Sequence, residues 1–179
     1  NQTGTMPNGS SLVRNAGNGK SATLNIKGGT LYQDGFIAVK NDDLGVLNVT
    51  GGHIYTTGDT ASNTASAIQN WGTAVIAGGT IGNLWASTWS EAYESTMTIS
   101  GDVTMSGRLI VKKDDASLSN APKVTIEGGK FDAEFRVSND GELVISGGHF
   151  TSDPSAYVSE SCMTMPGEVA GYAFAVGAK

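Results

Sequence analysis

Apolar and polar residues alternate along short segments that recur six times in the chain, each ending in a glycine pair or in Gly-Asp. Each segment begins with an apolar residue, a variable residue and a second apolar residue. One more residue follows before the first glycine. The six copies are Leu24–Gly29, Leu47–Gly52, Ala74–Gly79, Met97–Asp102, Val124–Gly129 and Leu143–Gly148. Alternation with a period of two residues is typical of a β-strand that buries one face.

A second motif, an apolar residue followed by any residue and then asparagine, lies upstream of the glycines. It occurs at Val13–Asn15, Val39–Asn41, Ile68–Asn70 and Val137–Asn139; Val111–Lys113 lacks the asparagine, and the fourth copy, around Trp89–Glu94, is degenerate. A further apolar residue follows five of the six glycine motifs, as Leu31, Ile54, Ile81, Phe131 and Phe150. The copy with Gly101-Asp102 has Val103 and Met105 instead, so we expect its turn to differ. Each repeat therefore holds three short strands.

Stacked repeats explain this pattern best, because one repeat of about 19–27 residues is too short to enclose a core. Stacking creates three inward columns: Leu24, Leu47, Ala74, Met97, Val124 and Leu143; Ile26, Val49, Ile76, Ile99, Ile126 and Ile145; and Val13, Val39, Ile68, Val111 and Val137. Glycine suits a corner that needs positive φ, and asparagines can form a ladder between coils. The variable spacing favours an all-β, right-handed parallel β-helix of about six coils over residues 1–150. An antiparallel sandwich is the alternative, but it requires tight hairpin turns.

The repeat stops after residue 150, and residues 151–179 are predicted to cap the solenoid within the same structural domain. Ser152 or Asp153 is a suitable N-cap for a short helix with Pro154 in its first turn. Ala170–Val176 alternates enough to form a closing strand. A solenoid needs such a cap because its last coil otherwise leaves the core open.

Composition narrows the functional classes. The chain has 17 acidic and 11 basic residues, a net charge of −6, which argues against nucleic acid as a partner. Its single cysteine, Cys162, excludes an intrachain disulfide and a cysteine-based zinc site, and we expect no metal or other cofactor. No apolar run is long enough to insert into a membrane. We expect a monomeric segment of a longer exported protein.

One motif is more specific than the glycine repeat. The segment Gly147–Tyr157 reads Gly-Gly-x-Phe-x-Ser-Asp-Pro-Ser-x-Tyr. It resembles a signature in large cell-surface proteins of gut Firmicutes, which have pectate-lyase-like parallel β-helix repeats. The resemblance implies a β-helix of a Gram-positive surface protein, secreted or attached to the cell. It implies no catalytic residue, because most members of this group have no assigned activity.

Aromatic residues are the main candidates for binding. Trp71, Trp85 and Trp89 lie within 19 residues, with Tyr93 close behind, where the fourth coil departs most from the repeat. Such rings stack on sugars or bind protein partners, although they also fill irregular cores. Because Trp89 aligns with Phe135, we expect Trp89 in the core and Trp85 exposed. Tyr32 and Tyr55 form a weaker outward pair.

Catalytic candidates are few. Asp114 and Asp140 fall at one corner of neighbouring coils, at a spacing that suits a retaining glycosidase, but turn aspartates are usually solvated. His53 and His149 share an outward column four rungs apart, about 19 Å, and cannot share a task. We therefore expect a non-catalytic adhesin, stalk or binding module whose partner is a host protein or a neutral glycan. The alternative is a glycan-active lyase or hydrolase.

Overall fold

The computed structural model describes residues 11–57, 65–138 and 140–179, which form fifteen strands and one short 3-10 turn. The strands are β1 Ser11–Asn15, β2 Ala22–Ile26, β3 Thr30–Asp34, β4 Ile37–Asn41, β5 Gly45–Thr57, β6 Ile68–Asn70, β7 Thr73–Ile81, β8 Leu84–Thr88, β9 Thr96–Lys113, β10 Lys123–Ile126, β11 Lys130–Val137, β12 Glu142–Ile145, β13 Gly148–Phe150, β14 Cys162–Pro166 and β15 Phe174–Ala178. The 3-10 turn covers Ser155–Tyr157. No α-helix is present in these three ranges.

The strands stack in parallel from one coil to the next, which confirms the parallel β-helix. On one face, β2, β5, β7, β9, β10 and β12 follow one another in register. Six passes of the chain enclose about five turns, one fewer than the six coils expected from the number of glycine motifs. The right-handed twist of the coils stays a prediction.

The first two predicted columns form the core. Leu47, Ala74, Met97 and Val124 are almost fully buried, and so are the residues two positions later, from Val49 to Ile145. Leu24 lies at the N-terminal end of its column and is only partly buried against the core. Alternate positions along each strand face outward, as a period of two residues requires.

The third column was predicted in the wrong register. Val13, Val39 and Ile68 do stack, but Ile68 continues to Leu84, Leu109 and Phe135 rather than to Val111. Val111 and Val137 instead follow Ala86, which lies beside Asn70. The physical reason is that the fourth coil turns early: β8 begins three residues after β7 ends, and Leu84 and Ala86 supply its inward side chains.

The glycine corners form as expected. The second glycine of each pair has positive φ, for example 105° at Gly52 and 107° at Gly79. The coils also approach closely there: a Cβ on Gly78 would lie 2.7 Å from the Thr50 carbonyl oxygen. In the copy with Gly101-Asp102 the positive φ moves to the first glycine, so this turn is altered as predicted.

The asparagines form a buried ladder. The Asn15 amide donates to Asn41 Oδ1 at 2.7 Å, and the Asn41 amide donates to Asn70 Oδ1 at 2.7 Å. The Asn70 amide continues the ladder to Ser95 Oγ at 3.3 Å. None of the three asparagines has positive φ, so they join the coils through side-chain hydrogen bonds and not through a left-handed backbone conformation. The remaining predicted member, Asn139, lies outside the described residues.

The cap differs from the prediction. The expected helix is only the 3-10 turn at Ser155–Tyr157, where Asp153 accepts a hydrogen bond from the Ser155 amide at 2.9 Å. The expected closing strand exists as β15, but it forms an antiparallel hairpin with β14, which the sequence analysis missed. This hairpin pairs β15 with β13 and covers that edge of the last coil.

Candidate functional site

Two of the predicted tryptophans lie together on the surface. The centroids of the Trp71 and Trp89 rings are 6.0 Å apart, with the ring planes inclined by 43°. Trp89 is 49% exposed, the largest fraction among the exposed large apolar residues of the described chain. Trp71 is half-buried beneath it. The structure therefore brings together the two tryptophans that the sequence places 18 residues apart.

The prediction for Trp89 was wrong, because this ring is exposed rather than in the core, and Trp85 is half-buried rather than exposed. Trp89 follows the end of β8 and is exposed. The inward side chains of the fourth coil come from β8, which pairs with β6 and β9, and not from the segment around Trp89. Trp85 points outward from β8 but is half-buried, with the Lys112 ammonium 5.6 Å from its ring centroid. The indole nitrogen of Trp85 is buried without a hydrogen-bond partner among the described residues. Trp85 thus belongs to the packed outer face of the solenoid.

A shallow cleft adjoins Trp89. Tyr93 lines it together with Arg14, Asp42, Asp43 and Leu44, and the cleft has a volume of about 280 Å³. We call it the Tyr93 cleft. Asp43 connects it to the tryptophans, because its carboxylate accepts a hydrogen bond from the Trp89 indole at 2.5 Å.

Charged groups of both signs surround the cleft. Arg14 donates to Asp42 at 2.6 Å, and the ammonium of Lys40 lies 3.8 Å from the other carboxylate oxygen. The same ammonium lies 3.8 Å from the centroid of the Trp71 ring, a cation–π contact. Burial lowers the pKa of Lys40, although Asp42 opposes this shift. Lys40 therefore occupies one face of Trp71 and leaves Trp89 as the ring available to a ligand.

A short relay fixes the orientation of Trp71. Its indole donates to Ser87 Oγ at 2.8 Å, and Ser87 donates to Asp114 at 2.8 Å. Burial raises the pKa of Asp114, opposed by the Ser87 hydrogen bond and by nearby lysines. Burial likewise raises the pKa of Asp43, opposed by its hydrogen bond from Trp89. Ser87 and Asp114 hold the ring rather than leave it free to rotate.

The predicted carboxylate pair has separate partners. Asp114 binds Ser87, whereas Asp140 is exposed and forms an ion pair with Lys113 at 3.1 Å. His53 and His149 stand in one outward column, separated by Thr80, Thr104 and Lys130, which confirms the four-rung spacing. Tyr32 and Tyr55 also stack as predicted, with ring centroids 4.8 Å apart.

Arg14, Lys40, Asp43 and Ser87 were missed as members of the site. The signal for the first two was present, because both occupy the middle position of the apolar-x-Asn motif and pair across β1 and β4. The part of the chain that the structure describes contains no group of three or more His, Cys, Asp or Glu residues able to hold a metal ion. Within the same ranges, no helix has the length and apolar character needed to cross a membrane.

Comparison with protein-family models, with curated proteins and with solved structures finds no match for this chain.

Proposed function

We propose that this chain is a non-catalytic β-helix module of a secreted or surface-attached bacterial protein, and that it binds a neutral glycan at Trp89 and the Tyr93 cleft. The exposed Trp89 ring, anchored by Asp43 beside the cleft, is the observation that supports this most directly. The apolar face of a sugar stacks on an indole ring, while its hydroxyl groups need charged or polar partners at the rim. Arg14, Asp43 and Tyr93 supply such partners.

The backbone at the cleft supports a binding role. Leu44 has φ of 60°, a left-handed conformation that is unfavourable for a residue with a Cβ, and its side chain is 40% exposed. A strained and exposed leucine gives the solenoid neither backbone stability nor core packing. Its position beside Tyr93 instead adds apolar surface to the cleft.

Rigidity favours binding as well. Trp89 is held by Asp43, and the neighbouring Trp71 is held by Ser87 and Lys40. A ligand that stacks on preorganised rings does not have to order them, so less binding free energy is lost. The net negative charge of the chain makes a neutral glycan a better partner than a sulfated one.

The test is a glycan array followed by titration calorimetry with a neutral glycan that binds. Trp89→Ala should weaken binding by at least about tenfold, on the order of the 1–2 kcal/mol typical of a stacked aromatic residue. Tyr55→Ala is the matched control, because Tyr55 is an outward aromatic residue of β5 that stacks on Tyr32 and does not line the Tyr93 cleft. Binding that survives Trp89→Ala, or that is lost with Tyr55→Ala, would contradict the assignment of the site.

A further inference from the structure

At the C-terminal end of the solenoid, most of the outer edge of β11 has no strand partner among the described residues. β11 spans Lys130–Val137, but β13 pairs with it only at Lys130 and Phe131. The cap pairs β15 with β13 and touches β12 through a bridge between Ile145 and Val158. In the described residues, no strand pairs with this edge of β11 beyond Phe131.

The direction of the backbone groups follows from two hydrogen bonds. Phe131 accepts from Thr151 on the side of the cap, and the Ser138 amide donates to Val111 on the side of β9. In a parallel strand, each residue directs its N–H and C=O groups to the same edge, and successive residues alternate between the two edges. Ala133, Phe135 and Val137 therefore present these groups to the open edge.

A cavity of about 390 Å³ lies against this edge, and its lining includes the rings of Phe131, Phe135, Phe150 and Tyr157. Phe135 is only half-buried, although it stands in the core column, and it contacts Phe150 and Tyr157 edge-on with centroids 6.0 Å away in each case. Asp132, Glu134 and Asp153 form an acidic rim. The end thus offers unpaired backbone groups, aromatic rings and acidic side chains together.

The charges select the occupant. On the occupied edge of β11, Arg108 of β9 lies opposite Glu134 and donates to it at 3.2 Å, while Leu109 lies opposite Phe135. A second copy of this chain would continue the column with β1, which sets Arg14 against Arg136 and Leu12 against Glu134. This arrangement places like charges together at Arg136 and sets the apolar Leu12 against Glu134, so Glu134 keeps only its own chain's Arg108 and Arg136 as basic partners.

We propose that the open edge of β11 binds one extended, basic segment of another protein as an added parallel strand. Apolar residues at alternate positions of this segment fill the pocket at Phe135, and a basic residue between them faces Glu134. Strand addition of this kind gains affinity from backbone hydrogen bonds and specificity from alternate side chains. The inference is independent of the glycan proposal, since none of its residues lines the Tyr93 cleft.

A capped, fluorescent peptide with the sequence of Ser106–Lys113 is a suitable probe, because this segment already pairs with β11 in the required register. Fluorescence anisotropy should show saturable, one-to-one binding to the wild-type protein. Ala133→Pro should abolish it, because proline removes an N–H from the open edge without removing one that faces β9. Glu134→Lys should weaken it at least about tenfold through charge reversal.

Glu142→Lys is the matched control, since Glu142 is an exposed strand residue paired with Lys123 and lies away from the open edge. It should bind the peptide like the wild type, and thermal unfolding should show that all variants are folded. The proposal is wrong if the wild type does not bind the peptide, or if Ala133→Pro and Glu134→Lys bind it equally well. Concentration-dependent self-association of the wild type in sedimentation, lost with Ala133→Pro, would identify a second copy instead and overturn the proposal.

Discussion

Replacing Asn41 by alanine tests how far the buried ladder stabilises the solenoid. The Asn41 side chain is fully buried and makes four hydrogen bonds. Its amide donates to Asn70 Oδ1 and to the carbonyl oxygens of Gly45 and Thr73, at 2.7 to 3.1 Å, and its Oδ1 accepts from Asn15. Alanine removes all four bonds at once.

The expected cost follows from what is left behind. Each lost hydrogen bond reduces the free energy of unfolding by about 1 kcal/mol, and more where a buried partner stays unpaired. Asn70 Oδ1 loses its Asn41 donor, whereas the Asn15 amide keeps carbonyl partners at Ala22 and Val46. The total is about 3–5 kcal/mol, a large share of the 5–15 kcal/mol typical of a domain.

Asn48→Ala is the matched control. Asn48 also belongs to a ladder between coils, but its amide donates to Asn25 Oδ1 at 3.0 Å on the exposed face. Water replaces this bond, so the cost should stay below about 1 kcal/mol. Urea unfolding followed by circular dichroism measures both changes. Equal losses in the two variants, within about 1 kcal/mol, would refute the argument that burial makes the Asn41 ladder important.

Four further outcomes are expected. Trp89→Ala should leave the unfolding midpoint nearly unchanged while Trp85→Ala lowers it, as thermal scans will show; the reverse would restore the register first predicted. Ile126→Asp should abolish folding, because it buries an unpaired charge at a fully buried position, and a native circular dichroism spectrum of this variant would contradict the core assignment. Burial raises the pKa of Asp114 in the folded state, so the folded protein holds a proton that the unfolded chain releases. The contribution of this residue to the free energy of unfolding therefore falls as pH rises above 3.8. Asp114→Asn should reduce this dependence of the unfolding free energy on pH, measured across the acidic range. Pectin and polygalacturonate should not be turned over, and turnover lost with Asp114→Asn or Asp140→Asn would favour the enzyme instead.

Much of the fold was predictable because each repeat carries the same local pattern of apolar residues, glycines and asparagine. The alternation around the glycine pairs determines which residues face inward, and positive φ at Gly52 or Gly79 requires a residue without a Cβ. The apolar-x-Asn motif likewise predicts the ladder, because asparagines at the same place in successive coils must meet. These are local properties, repeated until they determine the architecture.

The tertiary structure decided what the repeat leaves open. Where the fourth coil lacks its asparagine, pairing of β8 with β6 and β9 sets the register, and this brings Trp89 to the surface instead of the core. The contact between Trp89 and Asp43 joins residues 46 positions apart, so no local pattern predicts it. The cap hairpin, too, depends on which edge of the last coil is left unpaired. Sequence periodicity determined the stacked core; where the periodicity fails, packing between coils determined the register, the exposed ring and the open edge.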